Sequence, residues 1–270
     1  MAKLEASYFD LSTLDTLARR DTAIHRLDPR AKVLATALFI VAVVSFGKYE
    51  VAALLPMVLY PVVVGALAGL PALTLLRKML PALPFALFIG IFNPLLDREI
   101  LLNVGGIGIS GGWVSFTSIL VRFSLTVSAS LILVASTGFH AVCLALEKLG
   151  TPKGFVVQLL FLYRYLFVLI DEAGRMSRAR ALRSFHGKGM GIGPFTSMIG
   201  QLLLRTLDRA QRIHLAMLSR GFDGEIRTSR RLQATPRDVA FLLGWSAFFA
   251  LARFSNLPSW LGRLVTEFPK

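Results

Sequence analysis

Residues 113–137 read WVSFTSILVRFSLTVSASLILVAST, an apolar and small-residue run broken by a single charge, Arg122. A helix needs about 20 mostly apolar residues to cross roughly 30 Å of hydrocarbon, and this run is long enough. Backbone groups surrounded by lipid find no water, so such a run must satisfy its own N–H and C=O groups as a helix. Outward from it stand four more apolar blocks, 33–46, 51–70, 81–96 and 239–252. Block 51–70 also reaches spanning length; the other three are shorter and need flanking residues or a bundle. The chain is 54% hydrophobic with a mean hydropathy of +0.62. Its apolar residues come in blocks, not in the periodic stripes of a soluble domain. The expected fold class is all-α: a polytopic helical membrane protein of about five transmembrane helices, with amphipathic cytoplasmic helices added.

A net charge of +14 and a pI near 10.7 suit nucleic acid at first sight. Their distribution argues otherwise. Between Asp171 and Arg231, 12 Lys or Arg stand against five acids, and basic residues of membrane proteins gather on the cytoplasmic side. The expected surroundings are therefore a lipid bilayer and no nucleic acid. A partner touching this stretch should offer acidic side chains or helix C-terminal ends. A lone cysteine, Cys143, excludes an internal disulfide framework. The polar first thirty residues do not read as a cleavable signal peptide. The expected location is the inner (cytoplasmic) cell membrane, multi-pass.

Asp28 followed by Pro29 signals a helix start, an acceptor at the N-cap and proline at the first helical position. Arg30 and Lys32 place that end on the positive side, and Arg77-Lys78 return to it. Pro84, Asn93 and Pro94 predict a kink or break near the end of block 81–96. Two short alternating runs around Gly105-Gly106 predict a small external hairpin within 97–112. The glycines of 105–112 lack the Gly-Lys-Ser/Thr ending of a phosphate loop. From 138 the character changes: 155–170 is strongly apolar and runs directly into the basic stretch 171–185. Glycine-rich 187–194 turns the chain, and a second long helix is predicted over 195–220. On that helix Ile199, Leu203, Leu207, Ala210, Ile213 and Met217 share one apolar face. Pro236 restarts a last span, with Trp260 beyond it as an interface anchor. The organisation expected is 1–32 as a cytoplasmic lead-in, 33–137 as four spans, 138–234 as an amphipathic insertion, and 235–270 as the last span and tail.

The two long helices end alike. One closes on Leu182-Arg183-Ser184-Phe185-His186-Gly187 and the other on Ser219-Arg220-Gly221-Phe222-Asp223-Gly224, with the arginines 37 residues apart. Helix C-capping accounts for each copy alone, since cations suit a helix C-terminus and glycine the position after it. The recurrence asks for more. These endings, the stretch 171–183, Ala216-Met217-Leu218 and the early 25–32 (HRLDPRAK) together resemble the transmembrane T component of energy-coupling-factor (ECF) transporters, most closely its cobalt and nickel branch, the CbiQ type. The resemblance spans nearly the whole chain.

It implies a coupling subunit whose two long helices dock two ATP-binding ABC-type subunits through Arg183 and Arg220. Leu182, Ser184, Ser219 and Gly221 would flank those arginines. The family's Ala-Arg-Gly signature is imperfect here: Leu182 and Ser219 stand where alanine is usual and Ser184 where glycine is usual. A register centred on Ala179-Arg180-Ala181 is the alternative for the first copy. The resemblance also implies a separate substrate-binding integral membrane S component that holds the cobalt or nickel ion. No cofactor is then expected in this chain, ATP belonging to the partner subunits.

Absences agree with that expectation. No Gly-x-x-x-x-Gly-Lys-Ser/Thr occurs, and no Asp, Glu or His lies inside the five blocks. A stand-alone secondary transporter, the alternative reading, normally carries such intramembrane groups. The histidines at 25, 140, 186 and 214 are scattered, and His140-x-x-Cys143 falls short of a metal site. A membrane enzyme would need a nucleophile and base at one depth, and no such grouping appears. Arg122 is expected to pair within the bundle or to reach for an interface.

Overall fold

The computed structural model describes residues 15–96, 100–104, 107–183, 192–224 and 234–254. In chain order these form α1 (Pro29–Val44), a 3-10 segment (Ala52–Val58), α2 (Leu59–Leu67), α3 (Ala72–Met79), α4 (Leu83–Gly90) and α5 (Phe92–Leu96). A two-stranded hairpin follows, β1 (Ile100–Val104) and β2 (Ile107–Ser110). Then come α6 (Gly111–Thr137), α7 (Phe139–Lys148), α8 (Lys153–Arg183), α9 (Ile192–Leu218) and α10 (Pro236–Phe254). Apart from the hairpin, which pairs Val104 with Ile107 and Asn103 with Gly108 antiparallel as its alternation predicts, the described fold is all-α. Residues group into two compact units, 17–138 with 232–270, and 1–16 with 139–231.

The first unit is a bundle fastened by buried polar groups. Asp28 caps α1 as expected, its carboxylate accepting the Arg30 N–H at 2.8 Å with Pro29 at the first turn. Its own N–H donates to Asp238 at 2.7 Å. The other oxygen of Asp238 accepts from the N–H and the hydroxyl of Thr235, at 2.7 and 2.6 Å. Thr235-Pro236-Arg237-Asp238 is therefore a capping box whose carboxylate also begins a second helix. Lys32, only 3% exposed, donates to the Ser136 carbonyl at 3.0 Å. That carbonyl lies in the last turn of α6, where helix carbonyls lack partners and cations are favoured. Asp28 and Lys32 of 25–32 thus have a packing reason: they tie α1 to α10 and to α6.

Above this fastening Phe39 is fully buried. It stacks on Tyr60 (centroids 4.6 Å) and meets Phe249 (5.4 Å), while Trp245 sets its edge against Tyr60 at 4.9 Å. The Tyr60 hydroxyl pairs with Thr36 at 2.9 Å, so this buried hydroxyl is satisfied. At the far end of α1, Arg122 of α6 donates to the Gly47 carbonyl, and Arg253 of α10 donates to Ser45 and lies 5.1 Å from the Phe46 ring. Arg122 is paired within the bundle, one of the two outcomes expected for it.

Two helices, α6 and α8, are long and apolar enough to cross a membrane by length and composition, and a bent pair, Ala72–Met79 with Leu83–Pro94, makes a possible third. The break expected near the end of block 81–96 is present at Ile91, between α4 and α5, and a bend of 55° falls earlier, between Met79 and Leu83. Two details differ from the sequence expectation. Block 51–70 is a 3-10 segment continued by α2, because Pro56 lies inside the tight turns and withholds a helix donor. Helix α8, read from sequence as a cytoplasmic helix, has the composition of a span over its apolar half.

Candidate functional site: two helices ending in arginine

The second unit rests on a small core in which Cys143 of α7 packs with Val156 and Leu160 of α8, flanked by Phe139 and Leu159. Tyr163 stacks on Phe139 at 4.4 Å and donates to Asp15 at 2.6 Å. Burial pushes the Cys143 thiol up to about 11, so it stays a neutral thiol and a poor metal ligand. His140 is exposed, and His25 bonds Thr22 and the Leu17 carbonyl. His214 lines an apolar cleft, and His186 lies outside the described residues. No group of three or more His, Cys, Asp or Glu able to hold a metal occurs among the described residues.

Beyond this core α8 and α9 run antiparallel. Residues 161–172 of α8 face 205–217 of α9 across a cleft of about 920 Å3, and residues 172–183 face 197–205 across a second of about 520 Å3. Glu172 joins the helices where the clefts meet. One of its oxygens accepts from Arg205 at 2.8 Å and the other from Arg175, three residues on. The aromatic pair Phe161 and Phe222, 6.4 Å between centroids, is a second link.

The apolar face foreseen on the second helix exists: Leu207, Ala210, Ile213 and Met217 line the cleft toward α8, and its earlier part is open. Ile199, Leu203 and Leu207 are exposed, Leu203 by 57%. No described residue of α9 is buried. Exposed apolar surface of this kind, uncovered by the described residues, is typical of sites of protein or membrane contact.

Arg183 is the last residue of α8 and is exposed, as is Leu182 before it at 85%. Ser184 lies outside the described residues. At the other ending, Phe222 N–H bonds the Met217 carbonyl and Gly221 N–H the Leu218 carbonyl, both at 3.0 Å, with Gly221 at φ +74°. This is a Schellman ending, in which glycine supplies the left-handed turn that other residues resist. Phe222 turns back onto Phe161, Ser219 spends its hydroxyl on the Leu215 carbonyl at 2.9 Å, and Arg220 is left exposed. Each neighbour of Arg220 therefore has a structural duty, while the arginine side chain has no hydrogen bond or ion pair among the described residues. Because the helices are antiparallel, Arg183 and Arg220 stand at opposite ends of the pair, on the order of 30 Å apart along it at 1.5 Å per residue. Arg180, the centre of the alternative register, is half-buried against α9. The Glu172–Arg205 link was not foreseen, since nothing in periodicity joins two residues 33 apart on different helices.

Relatives fit this architecture. A transmembrane protein named as an energy-coupling factor transporter component, from Bacillus subtilis, is 26% identical over 86% of this chain and 93% of its own. An uncharacterised protein of Methanocaldococcus jannaschii is 28% identical, over 82% of this chain and 78% of its own. A cobalt transport protein of Rhodobacter capsulatus is 28% identical over 53% of this chain and 61% of its own. These relatives are transporter membrane components or unassigned, and none carries an enzyme's name. The family model described as CbiQ, cobalt transport protein, matches residues 20–230. With that match over most of its length and its long apolar helices, this all-α membrane protein belongs to the CbiQ cobalt transport family.

Proposed function

We propose that this chain is the coupling subunit of an ATP-driven importer in the cell inner membrane, most suited to cobalt or nickel ions. Two ATP-binding ABC-type subunits dock at the ends of α8 and α9. A separate substrate-binding S component in the membrane lies against the open apolar faces of those helices. ATP and its hydrolysis belong to the docked subunits and the ion to the S component. Residues 33–137 and 235–270 anchor the assembly, 138–234 carry the docking surfaces, and 1–32 stay cytoplasmic.

The observation that carries this reading is the state of the two endings. Arg183 and Arg220 each close a long helix and are each exposed. A guanidinium offers a planar fork of donors and keeps its charge in a partly dry pocket, where lysine does not substitute for it. Closure of the ATP-binding subunits would pull on two points at opposite ends of one helix pair, and so change its tilt.

The test is retention of co-expressed ATP-binding subunits on the tagged chain in detergent, for wild type, Arg183→Glu, Arg220→Glu and the double variant. Wild type should retain both subunits. Each reversal should lower retention and the double variant should abolish it, with elution as a single species unchanged, because both side chains are exposed. Retention by the double variant would move the docking points elsewhere on the chain. No retention by wild type would overturn the coupling reading and revive the stand-alone carrier.

A further inference from the structure

The two clefts between α8 and α9 are parts of one trough. Its apolar part is lined by Phe161, Tyr165, Val168, Leu169, Ile213 and Met217, and its basic part by Arg175, Arg180 and Arg183. Glu172 and Arg205 line both parts. In the basic part the four guanidiniums of Arg175, Arg180, Arg183 and Arg205 share the carboxylate of Glu172, and Arg175 and Arg205 occupy both of its oxygens, while Asp208, Arg209 and Arg212 line the other part. Nη2 of Arg180 is buried and has no hydrogen-bond partner. A buried cationic donor without an acceptor is costly, so the basic part calls for an anion. The fork of an arginine matches phosphate oxygens best.

The apolar part restricts the source of that anion. A free phosphate has no use for a wall of aromatic and aliphatic side chains; an amphiphile has. Along α8 the apolar stretch 155–170 gives way to charge at Asp171, and Glu172 and Arg205 mark the same border inside the trough. This is the order in which a lipid presents its own parts, chain then phosphate, on the basic side of a membrane.

We propose that the trough between α8 and α9 binds one anionic phospholipid of the membrane. Its phosphate is held by Arg180, with Arg183 at the mouth, and an acyl chain lies along Phe161, Tyr165, Val168 and Leu169. The lipid supplies the acceptor that the described residues do not.

The full chain, purified in a neutral maltoside detergent, is given phosphatidylglycerol, phosphatidylcholine or inorganic phosphate. Native mass spectrometry then counts retained lipid, and the thermal midpoint is followed alongside. Phosphatidylglycerol should be retained at least tenfold more than phosphatidylcholine and should raise the midpoint. Arg180→Gln should lower that retention about tenfold and Arg180→Lys by less. Arg237→Gln, at an exposed arginine of the bundle unit, should leave it unchanged. If Arg180→Gln does not purify as a single species, Met217→Trp, which fills the apolar part, should lower retention instead. Equal retention of the two lipids overturns the proposal, as does an equal fall for Arg237→Gln. So does protection by inorganic phosphate matching that by lipid, which would make the trough a free-anion site. None of these readouts involves an ATP-binding subunit, so their failure leaves the coupling reading standing.

Discussion

The bundle of α1, α6 and α10 and the pair α8–α9 use similar residues in opposite ways. In the bundle, charge faces inward and is answered: Asp28, Lys32 and Asp238 are buried and each is hydrogen-bonded within the chain. Its large side chains interdigitate around Phe39. In the pair, leucines of α9 such as Leu203, Leu204 and Leu215 are exposed and the arginines at the helix ends find no carboxylate among the described residues. The contrast separates a part whose buried charges are answered within the chain from one whose helix-end arginines and much of whose apolar surface stay open among the described residues. Membrane association alone does not explain this, because the bundle also shows apolar surface, yet its buried charges Asp28, Lys32 and Asp238 are turned to internal use.

Four substitutions test the contrast. Phe39→Ala should do the most damage, about 3–5 kcal/mol, since it opens a cavity inside a stacked aromatic cluster. Unfolding in detergent followed by Trp245 fluorescence reads it directly. Asp238→Ala should cost about 3 kcal/mol by the same measurement, because it strips the acceptor from the Asp28 N–H and from both donors of Thr235. Gly221→Ala should cost about 1 kcal/mol, the price of a side chain in the left-handed region. Its mark should be faster amide exchange in the last turn of α9, with the bundle undisturbed. Leu203→Ser should shift stability by less than about 0.5 kcal/mol, as expected of an exposed position. A large loss there would mean that the open face of α9 is covered by its own chain, and the contrast would fall.

Much of this was legible from residues. Asp28-Pro29 announces its cap, the hairpin follows from alternation around two glycines, and the recurrence of arginine at two helix ends marks both endings. What escaped depends on residues distant in sequence. No local rule assigns Arg122 to a carbonyl 75 positions away, or Lys32 to one 104 away. Hydropathy counted 51–70 as one span because a window average does not register that Pro56 tightens the helix. The same averaging hid the dual nature of α8, whose apolar half passes for a span and whose charged half does not.

The contact between Asp28 and Asp238 joins positions 210 apart, and that distance has a meaning in time. A ribosome adding about 5–20 residues per second needs roughly 10–40 s to make Asp238 after Asp28 has emerged. Throughout that interval the first helix exists without its last neighbour, with Phe39 uncovered on one side and one buried N–H unanswered. Birth of this protein therefore includes a waiting period in which the insertion machinery or surrounding lipid must shelter α1. A chain stopped anywhere short of Pro236 would never leave it.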